Sequence, residues 1–232
     1  MKRDPELDPP KKTAGDAAHA LIRAGLSAIP VAGGTAVELF QALVTPPLER
    51  RRDTWMREVG EAIQRLESEK KIQLDELQKD EKFLDTLMQA SGAALRTSQE
   101  EKRRALLNAI VNSAQPDAPD ESLRQVFVNL VDTLTVWHLR ILDLYQDPEA
   151  WARKVGRDLP DIGMGALASM IEGCFPDLRG RRAFYDQVWQ DLYVRGLVNT
   201  EGIHTTMTGN GLRHKRTTEM GEQLLRFIRQ AA

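Results

Sequence analysis

The stretch DESLRQVFVNLVDTLTVWHLRILDLYQ, residues 120–146, decides the fold class of this chain. Its apolar residues recur at steps of three and four, which is the spacing of one face of an α-helix. Asp120 stands just ahead of the stripe, where a helix N-cap is expected. The members of the stripe are Leu123, Val126, Phe127, Leu130, Leu134, Trp137, Ile141 and Tyr145. The sequence therefore predicts one long central helix in a mainly α protein.

A second helical stripe lies on the N-terminal side of this stretch, in a heavily charged segment. It follows Thr45-Pro46-Pro47, and a proline in the first turn suits the start of a helix. The apolar residues that share one helical face are Leu48, Trp55, Val59, Ile63 and Leu66. We therefore expect a helix to begin near Pro46 and to bury this face.

Local capping signals place several further helices. Asp80 is expected to cap one helix, and Ser98 followed by Glu101 has the spacing of a capping box for the next, which should run to about Asn112. Asp147-Pro148 is expected to start a short helix after the central one. With the stripes, these signals predict a helical bundle.

Only the C-terminal part of the chain has strand-like segments. Residues 197–198, 203–208 and 212–216 are short and are separated by turn-forming residues, among them Gly209-Asn210-Gly211. A helix is expected at about 180–195 before them, and a final helix is expected to begin at Thr217 or Thr218. The predicted order is helix, short β-hairpin, helix.

The sequence AFYDQVWQDLYVRGLV at 183–198, followed by the hairpin and by TTEMGEQLL at 217–225, resembles the winged-helix domains of bacteria. In those domains a helix ending in a leucine-glycine-leucine phrase precedes the β-wing, and a threonine-and-glycine phrase opens the closing helix. The resemblance covers about residues 163–230. It implies a fold and no particular activity, since winged helices bind DNA, RNA or proteins.

These observations divide the chain into three expected parts. Residues 1–15, charged and rich in proline, are expected to form a flexible tail. Residues 16–155 are expected to form an α-helical bundle with an apolar N-terminal hairpin. Residues 156–232 are expected to form a winged-helix-like module with a short β-hairpin.

Composition narrows the class of protein. The chain has one cysteine, Cys174, and four scattered histidines, so neither a disulfide framework nor a zinc site with Cys/His spacing is expected. No phosphate-binding glycine loop or nucleophile elbow accompanies His138, which we interpret as a hydrogen-bonded core residue. The charged N-terminus does not resemble a secretory signal. We expect a cytoplasmic protein without catalytic residues, metal or cofactor.

A basic surplus lies at the C-terminal end. Lys and Arg number 20 against 25 Asp and Glu over residues 1–152, and 12 against 9 over residues 153–232. On the helix at 180–195, Arg181, Arg182, Gln187 and Gln190 are candidates to contact a nucleic acid or another partner, and the wing adds Arg213, His214, Lys215 and Arg216. Asp186 and Asp191 share that helix and would repel a duplex if they faced outward. Nucleic-acid binding and protein docking both remain open.

The apolar segment 17–44 has two interpretations. Its central residues, Ala28, Pro30, Ala32, Gly33 and Gly34, are small or turn-forming and allow close helix approach. The segment could therefore form a hairpin buried in the protein's own bundle, or could enter a membrane or another subunit after release. It is similar to the glycine-containing amphipathic leading helices of bacterial cell-death and defence effectors.

The sequence thus favours a non-enzymatic interaction or regulatory protein of bacterial type, and a role in defence is one possible function for it. Its partner would be a protein or a nucleic acid, docked through the C-terminal module. The alternative from another class is a membrane-perturbing effector that acts through residues 17–44. The sequence does not indicate an oligomeric state.

Overall fold

The computed structural model of the protein describes residues 35–69 and 71–230, without the side chains of residues 35–43 and 46. Within this part the protein is mainly helical, with eleven α-helices, one 3-10 helix and a two-stranded sheet. The predicted mainly α fold class is confirmed. The chain forms two compact units, one ending at Val128 and the other spanning Asn129–Gln230.

The first unit is built from helices alone in its described part. These are α1 (Thr35–Ser68), α2 (Leu74–Leu77), α3 (Glu81–Arg96), α4 (Glu100–Ser113) and the first half of α5 (Glu121–Thr133). Helices α3 and α4 form a hairpin that packs on α1. Of the predicted stripe on α1, Trp55, Val59, Ile63 and Leu66 are buried, but Leu48 is 41% exposed, so the expected burial of this face is wrong at its N-terminal end. The Trp55 Nε1 donates a hydrogen bond of 3.0 Å to Ser91 Oγ.

Helix α1 does not begin where the sequence suggests. It is described from Thr35 and continues without interruption past Pro46 and Pro47, so the expected start of a helix near Pro46 is wrong. A proline removes one N–H donor, but its φ near −65° is also that of an α-helix. The rule that proline suits a first turn therefore does not by itself locate a helix start.

The predicted caps have different outcomes. The Asp80 carboxylate accepts hydrogen bonds from the backbone N–H groups of Lys82 and Phe83, at 3.0 and 3.1 Å, and caps α3 as expected. The expected capping box at Ser98 is wrong, because the N-cap of α4 is Gln99 and its side chain makes no capping bond. Thr97 Oγ1 instead accepts from the Gln99 backbone, at 3.1 Å.

The expected single central helix is two helices. Helix α5 ends at Thr133, and α6 (Val136–Gln146) begins after the N-cap Thr135. The break is stabilised by a capping box, since His138 Nδ1 accepts from the backbone N–H of Thr135, at 3.1 Å, and lies 2.8 Å from its hydroxyl. An apolar stripe does not reveal such a break, because Leu134, inside the interruption, is buried like Leu130 before it and Ile141 after it.

The second unit contains α6 and the remaining elements. They are α7 (Pro148–Val155), β1 (Met164–Gly165), α8 (Leu167–Cys174), a 3-10 helix (Pro176–Leu178), α9 (Arg182–Val194), β2 (Met207–Thr208), α10 (Gly209–Leu212) and α11 (Glu219–Ile228). The expected start of α7 is confirmed, because the Asp147 carboxylate accepts from the Ala150 backbone at 2.9 Å. Helices α9 and α11 both pack against α6.

The β structure of the second unit differs from the predicted hairpin. Strand β2 pairs antiparallel with β1, with Met164 opposite Thr208, and not with residues 212–216. The expected turn at Gly209-Asn210-Gly211 belongs to α10, which Thr208 caps by accepting from the Gly211 backbone at 3.3 Å. A Cβ at Gly209 would lie 2.4 Å from the carbonyl oxygen of Ile162. This glycine is therefore required by close packing and not by a hairpin turn.

The final helix begins as predicted, with Thr218 as its N-cap. The Thr218 hydroxyl accepts from the Gly221 backbone at 3.1 Å, and the Thr218 N–H donates to the carbonyl of Leu197 at 3.0 Å. Beside this contact, Val198 and Thr217 form an isolated antiparallel bridge. The threonine-and-glycine phrase thus joins the start of α11 to the chain that leaves α9.

None of the described helices is both long enough and apolar enough to cross a bilayer.

Candidate functional site

Helix α9 offers the clearest candidate surface, and its inner side explains why it is firmly held. Tyr185, Val188, Trp189 and Leu192 are buried. The Trp189 ring meets that of Tyr145 edge to face at 5.1 Å, and its Nε1 donates to the carbonyl of Thr200 at 2.8 Å. A helix anchored in this way presents its opposite side in a fixed orientation.

The opposite side of α9 carries no charge. Ala183, Gln187, Gln190 and Val194 are exposed and follow one another at steps of four, three and four residues, so they lie on one helical face. We call these four residues the α9 outer face. Val194 is 73% exposed, which is unusual for a valine.

The charges beside the α9 outer face are engaged within the same unit. Asp186 lies 3.4 Å from Arg182 Nε and 2.7 Å from His204 Nε2. Asp191 accepts from Gln187 at 2.7 Å and lies 3.3 Å from His138 Nε2. Both aspartates are half-buried. Each side chain is still more than a third exposed, so both carboxylates lie close enough to the surface to oppose a phosphate backbone.

The two arginines at the start of α9 are exposed. The Arg181 guanidinium lies over the ring of Phe184, 4.4 Å from its centroid. Arg182 pairs with Asp186, four residues along the helix. Such exposed interactions stabilise by about 1 kcal/mol or less and leave the guanidinium groups accessible.

The predicted basic cluster at the wing is largely paired with acids. Arg213 Nη1 lies 2.8 Å from Glu149 Oε1, and Lys215 pairs with Glu222. The Lys215 ammonium, by its hydrogen bond and its charge, lowers the pKa of the Glu222 carboxyl. His214 is exposed.

Arg216 turns toward the protein and not toward solvent. Its Nη2 donates to the carbonyl of Gly211 at 2.7 Å and lies 3.3 Å from the sulfur of Met207, and its own backbone N–H donates to the carbonyl of Tyr145. This arginine orders the segment that contains α10. The predicted cluster therefore contains two cations that pair with glutamates and one, Arg216, that bonds to the protein's own backbone.

Sequence reasoning did not identify His204 or Val194 as part of this surface. Val194 could have been found by extending the helical face of Gln187 and Gln190 by four residues. His204 comes from an irregular segment that reaches Asp186 across 18 positions of the chain. No local pattern of residues indicates that pairing.

The remaining groups do not belong to the α9 outer face. His138 is buried and caps α6, which confirms its interpretation as a hydrogen-bonded core residue. Burial, and then a hydrogen bond to Glu172, raise the pKa of Tyr185 to about 12. No three His, Cys, Asp or Glu side chains in the described ranges are arranged to hold a metal ion. The candidate membrane residues Ala28, Pro30, Ala32, Gly33 and Gly34 lie outside the described residues.

Cys174 is expected to be unreactive in the folded protein. Burial raises the pKa of its thiol from about 9 to about 11, so near pH 8 the thiolate should be roughly a hundredfold scarcer than in the unfolded chain. Labelling with Ellman's reagent, with and without denaturant, measures this difference. Equal rates in the two conditions would show that the thiol is not protected by the fold.

No known protein family, no curated protein and no solved structure matches the chain.

Proposed function

We propose that the protein is a non-enzymatic interaction protein that docks a protein partner through the α9 outer face. The observation that carries this proposal is the uncharged surface formed by Gln187, Gln190 and the highly exposed Val194. Exposed apolar side chains beside neutral hydrogen-bonding groups suit the centre of a protein interface, where charged residues are depleted. The buried side chains of α9 fix the orientation of this surface before a partner binds, which lowers the entropy cost of binding.

The surroundings of the wing cations favour a protein over a nucleic acid. Phosphate contacts by Lys and Arg dominate nucleic-acid affinity. Here Arg213 and Lys215 already pair with Glu149 and Glu222, and Arg216 bonds to backbone and to Met207. Because the pairs of Arg213 and Lys215 are exposed, breaking them costs little, and the unfavourable element for a nucleic acid is the pair of carboxylates of Glu149 and Glu222, which would lie beside the phosphates.

The proposal includes a winged-helix-like arrangement of the second unit. Three features support it: the order β1, α8, α9, β2, α11; the bridge between Val198 and Thr217; and the contact between Thr218 and Leu197. In such modules the second helix after the first strand is the one that commonly meets a partner. In this chain that helix is α9.

A site-specific cross-link tests the docking surface. A photoreactive amino acid placed at Gln190 should yield a defined protein adduct in cells, while the same amino acid at the exposed Arg153 on α7 should not. Val194→Asp should reduce the Gln190 adduct at least about tenfold, because an unpaired charge in an interface centre opposes binding by more than ~1.4 kcal/mol. Equal adducts at Gln190 and Arg153, or no effect of Val194→Asp, would contradict the proposal.

A second measurement distinguishes a nucleic-acid partner from a protein partner. Anisotropy titrations with a duplex at low and moderate salt should show no salt-sensitive binding by the purified chain. Tight low-salt binding that weakens when Arg213, Lys215 and Arg216 are changed to glutamine would instead favour nucleic acid as the partner. Altered sequence preference on changing Gln187 would then assign base contacts to α9.

A further inference from the structure

His138 connects the break between α5 and α6 to helix α9. The backbone N–H of Thr135 donates to His138 Nδ1 at 3.1 Å, and His138 Nε2 lies 3.3 Å from Asp191 Oδ2. The side chain of His138 is 6% exposed and that of Asp191 is 39% exposed. A buried ring therefore joins the N-cap of one helix to a half-buried carboxylate on another.

The hydrogen bond from Thr135 determines which ring nitrogen of His138 carries the proton. A backbone N–H can only donate, so Nδ1 must accept and is not protonated. A neutral imidazole then carries its proton on Nε2, which is the nitrogen that faces Asp191. This N–H donates to the carboxylate, which in its ionised form can only accept.

The carboxylate of Asp191 is held at both of its oxygens. Oδ2 accepts from the His138 ring, and Oδ1 accepts from Gln187 Nε2 at 2.7 Å. Because the ring is buried and its orientation is fixed by Thr135, it restricts rotation of the carboxylate about the Cβ–Cγ bond. Oδ1 is thereby kept in one place beside the α9 outer face.

A fixed Oδ1 sets the orientation of the Gln187 amide. If this amide turned by half a rotation, its carbonyl oxygen would face the carboxylate of Asp191, and two acceptors would oppose each other. Gln187 therefore directs Nε2 toward Asp191 and presents its carbonyl oxygen, with one remaining N–H, at the exposed α9 outer face. A partner that contacts Gln187 meets this acceptor and has to supply the hydrogen-bond donor.

The break between α5 and α6 is required for this arrangement. In a continuous helix the Thr135 N–H would donate to the carbonyl of Val131, four residues earlier. His138 Nδ1 would then lose the donor that keeps it unprotonated, and both tautomers would be allowed. The interruption of the central helix at residues 133–136 thus affects the surface of α9.

We propose that His138 is a positioning residue of the α9 outer face, where it fixes the amide of Gln187 through Asp191 and so determines which hydrogen-bonding group a partner meets. The contact of a partner with Gln187 rests on the proposed docking function, whereas the orientation of the amide is a property of the free chain. His138 is itself buried and acts only through Asp191. Polar groups that are oriented in advance lower the cost of binding.

Nuclear magnetic resonance of the isotope-labelled full-length chain tests the proposal without a partner. Two-bond 1H–15N correlations of the His138 ring should show a protonated Nε2 and an unprotonated Nδ1. The side-chain amide of Gln187 should exchange with water about fivefold more slowly than that of Gln223, because a hydrogen bond that is held in place must open before exchange. Gln223 is the internal control: it donates to Glu219 with the same spacing on α11, at 3.2 Å, and no histidine among the described residues holds that carboxylate.

The Asp191→Asn substitution separates positioning by His138 from an ordinary contact between Gln187 and its neighbour. The carbonyl of the new asparagine has to face the N–H of His138, so its NH2 group meets Gln187, which must turn its amide to offer the oxygen instead. The Gln187 NH2 should then exchange as fast as that of Gln223, while the tautomer of His138 stays the same. His138→Leu should have the same effect on Gln187, with thermal unfolding showing that both variants fold.

Three results would overturn the proposal: a proton on Nδ1 of His138, equal exchange of Gln187 and Gln223 in the unaltered chain, and slow exchange of Gln187 that persists in Asp191→Asn. The last would mean that the asparagine turns its carbonyl toward Gln187 and that His138 does not set the orientation.

The effect on docking is read separately. Asp191→Asn should reduce the cross-link at Gln190 about fivefold, because the acceptor that the partner meets becomes a donor. Absence of that cross-link in the unaltered chain would contradict the proposed docking function, and the exchange rates would still decide whether His138 positions Gln187.

Discussion

Gly221→Ala is expected to destabilise the second unit by about 3 kcal/mol, the upper end of the usual cost of overpacking. The added Cβ would lie 2.2 Å from the carbonyl oxygen of Leu197, which is a backbone atom held by its own hydrogen bond from Thr218. Backbone cannot turn aside as a flexible side chain can, so the start of α11 would have to move away from the chain that leaves α9. Movement there also breaks the Thr218 cap.

Urea unfolding monitored by circular dichroism measures this effect. Gly202→Ala is the matched control, because nothing lies within 4 Å of a Cβ at Gly202, and it should change the unfolding free energy by less than about 1 kcal/mol. A Gly221→Ala variant as stable as the control would show that α11 and the residue before Val198 are not in close contact. The arrangement proposed for the second unit would then be wrong.

Leu134→Ala is expected to lower the free energy of unfolding by about 2 to 5 kcal/mol. Leu134 is 1% exposed and lies in the connection between α5 and α6, where its N–H donates to the carbonyl of Leu130 at 2.8 Å. Removing its side chain loses buried apolar surface and leaves a cavity beside the capping box at Thr135. The surrounding backbone is fixed by two helices and cannot collapse fully into that cavity.

The same substitution at an exposed leucine shows whether the loss of stability comes from burial of the side chain or from replacing any leucine. Leu48→Ala, at a position 41% exposed, should change stability by less than about 1 kcal/mol in the same denaturation experiment. Equal losses for Leu134→Ala and Leu48→Ala would contradict the placement of Leu134 in the core. A measurable loss confined to Leu134 would also report that the α5–α6 connection is ordered.

Features that depend on neighbours in the chain were the ones predicted correctly. The Asp80 and Asp147 caps and the start of α11 at Thr218 each need an acceptor side chain two or three residues from the N–H that it receives. Helical spacing correctly places Trp55 and Val59 on one buried face, but it does not predict that Leu48, on the same face, is exposed. Such signals involve residues within one or two helical turns of each other, so they can be recognised in the sequence.

Predictions from local patterns were wrong where the sequence allowed two alternative helix boundaries or caps. Thr97 and Ser98 both offer a hydroxyl before α4, and it is Thr97 Oγ1 that accepts the hydrogen bond from the Gln99 backbone. At residues 133–136 the apolar stripe continues, but the pairing of Thr135 with His138 ends one helix and begins another. Intrinsic propensities differ too little between such neighbouring positions to decide which one caps the helix.

For the candidate site, the sequence by itself determined the helix that carries it and the residues available on that helix. The tertiary structure alone decided which charges are paired. Arg213 pairs with Glu149, 64 positions away in the chain, and Asp186 pairs with His204, 18 positions away. It also decided that β2 pairs with β1 and that Gly209 and Gly221 are contact points. Helix formation rests on bonds between near neighbours, whereas ion pairing and strand partners are set by which segments meet in space.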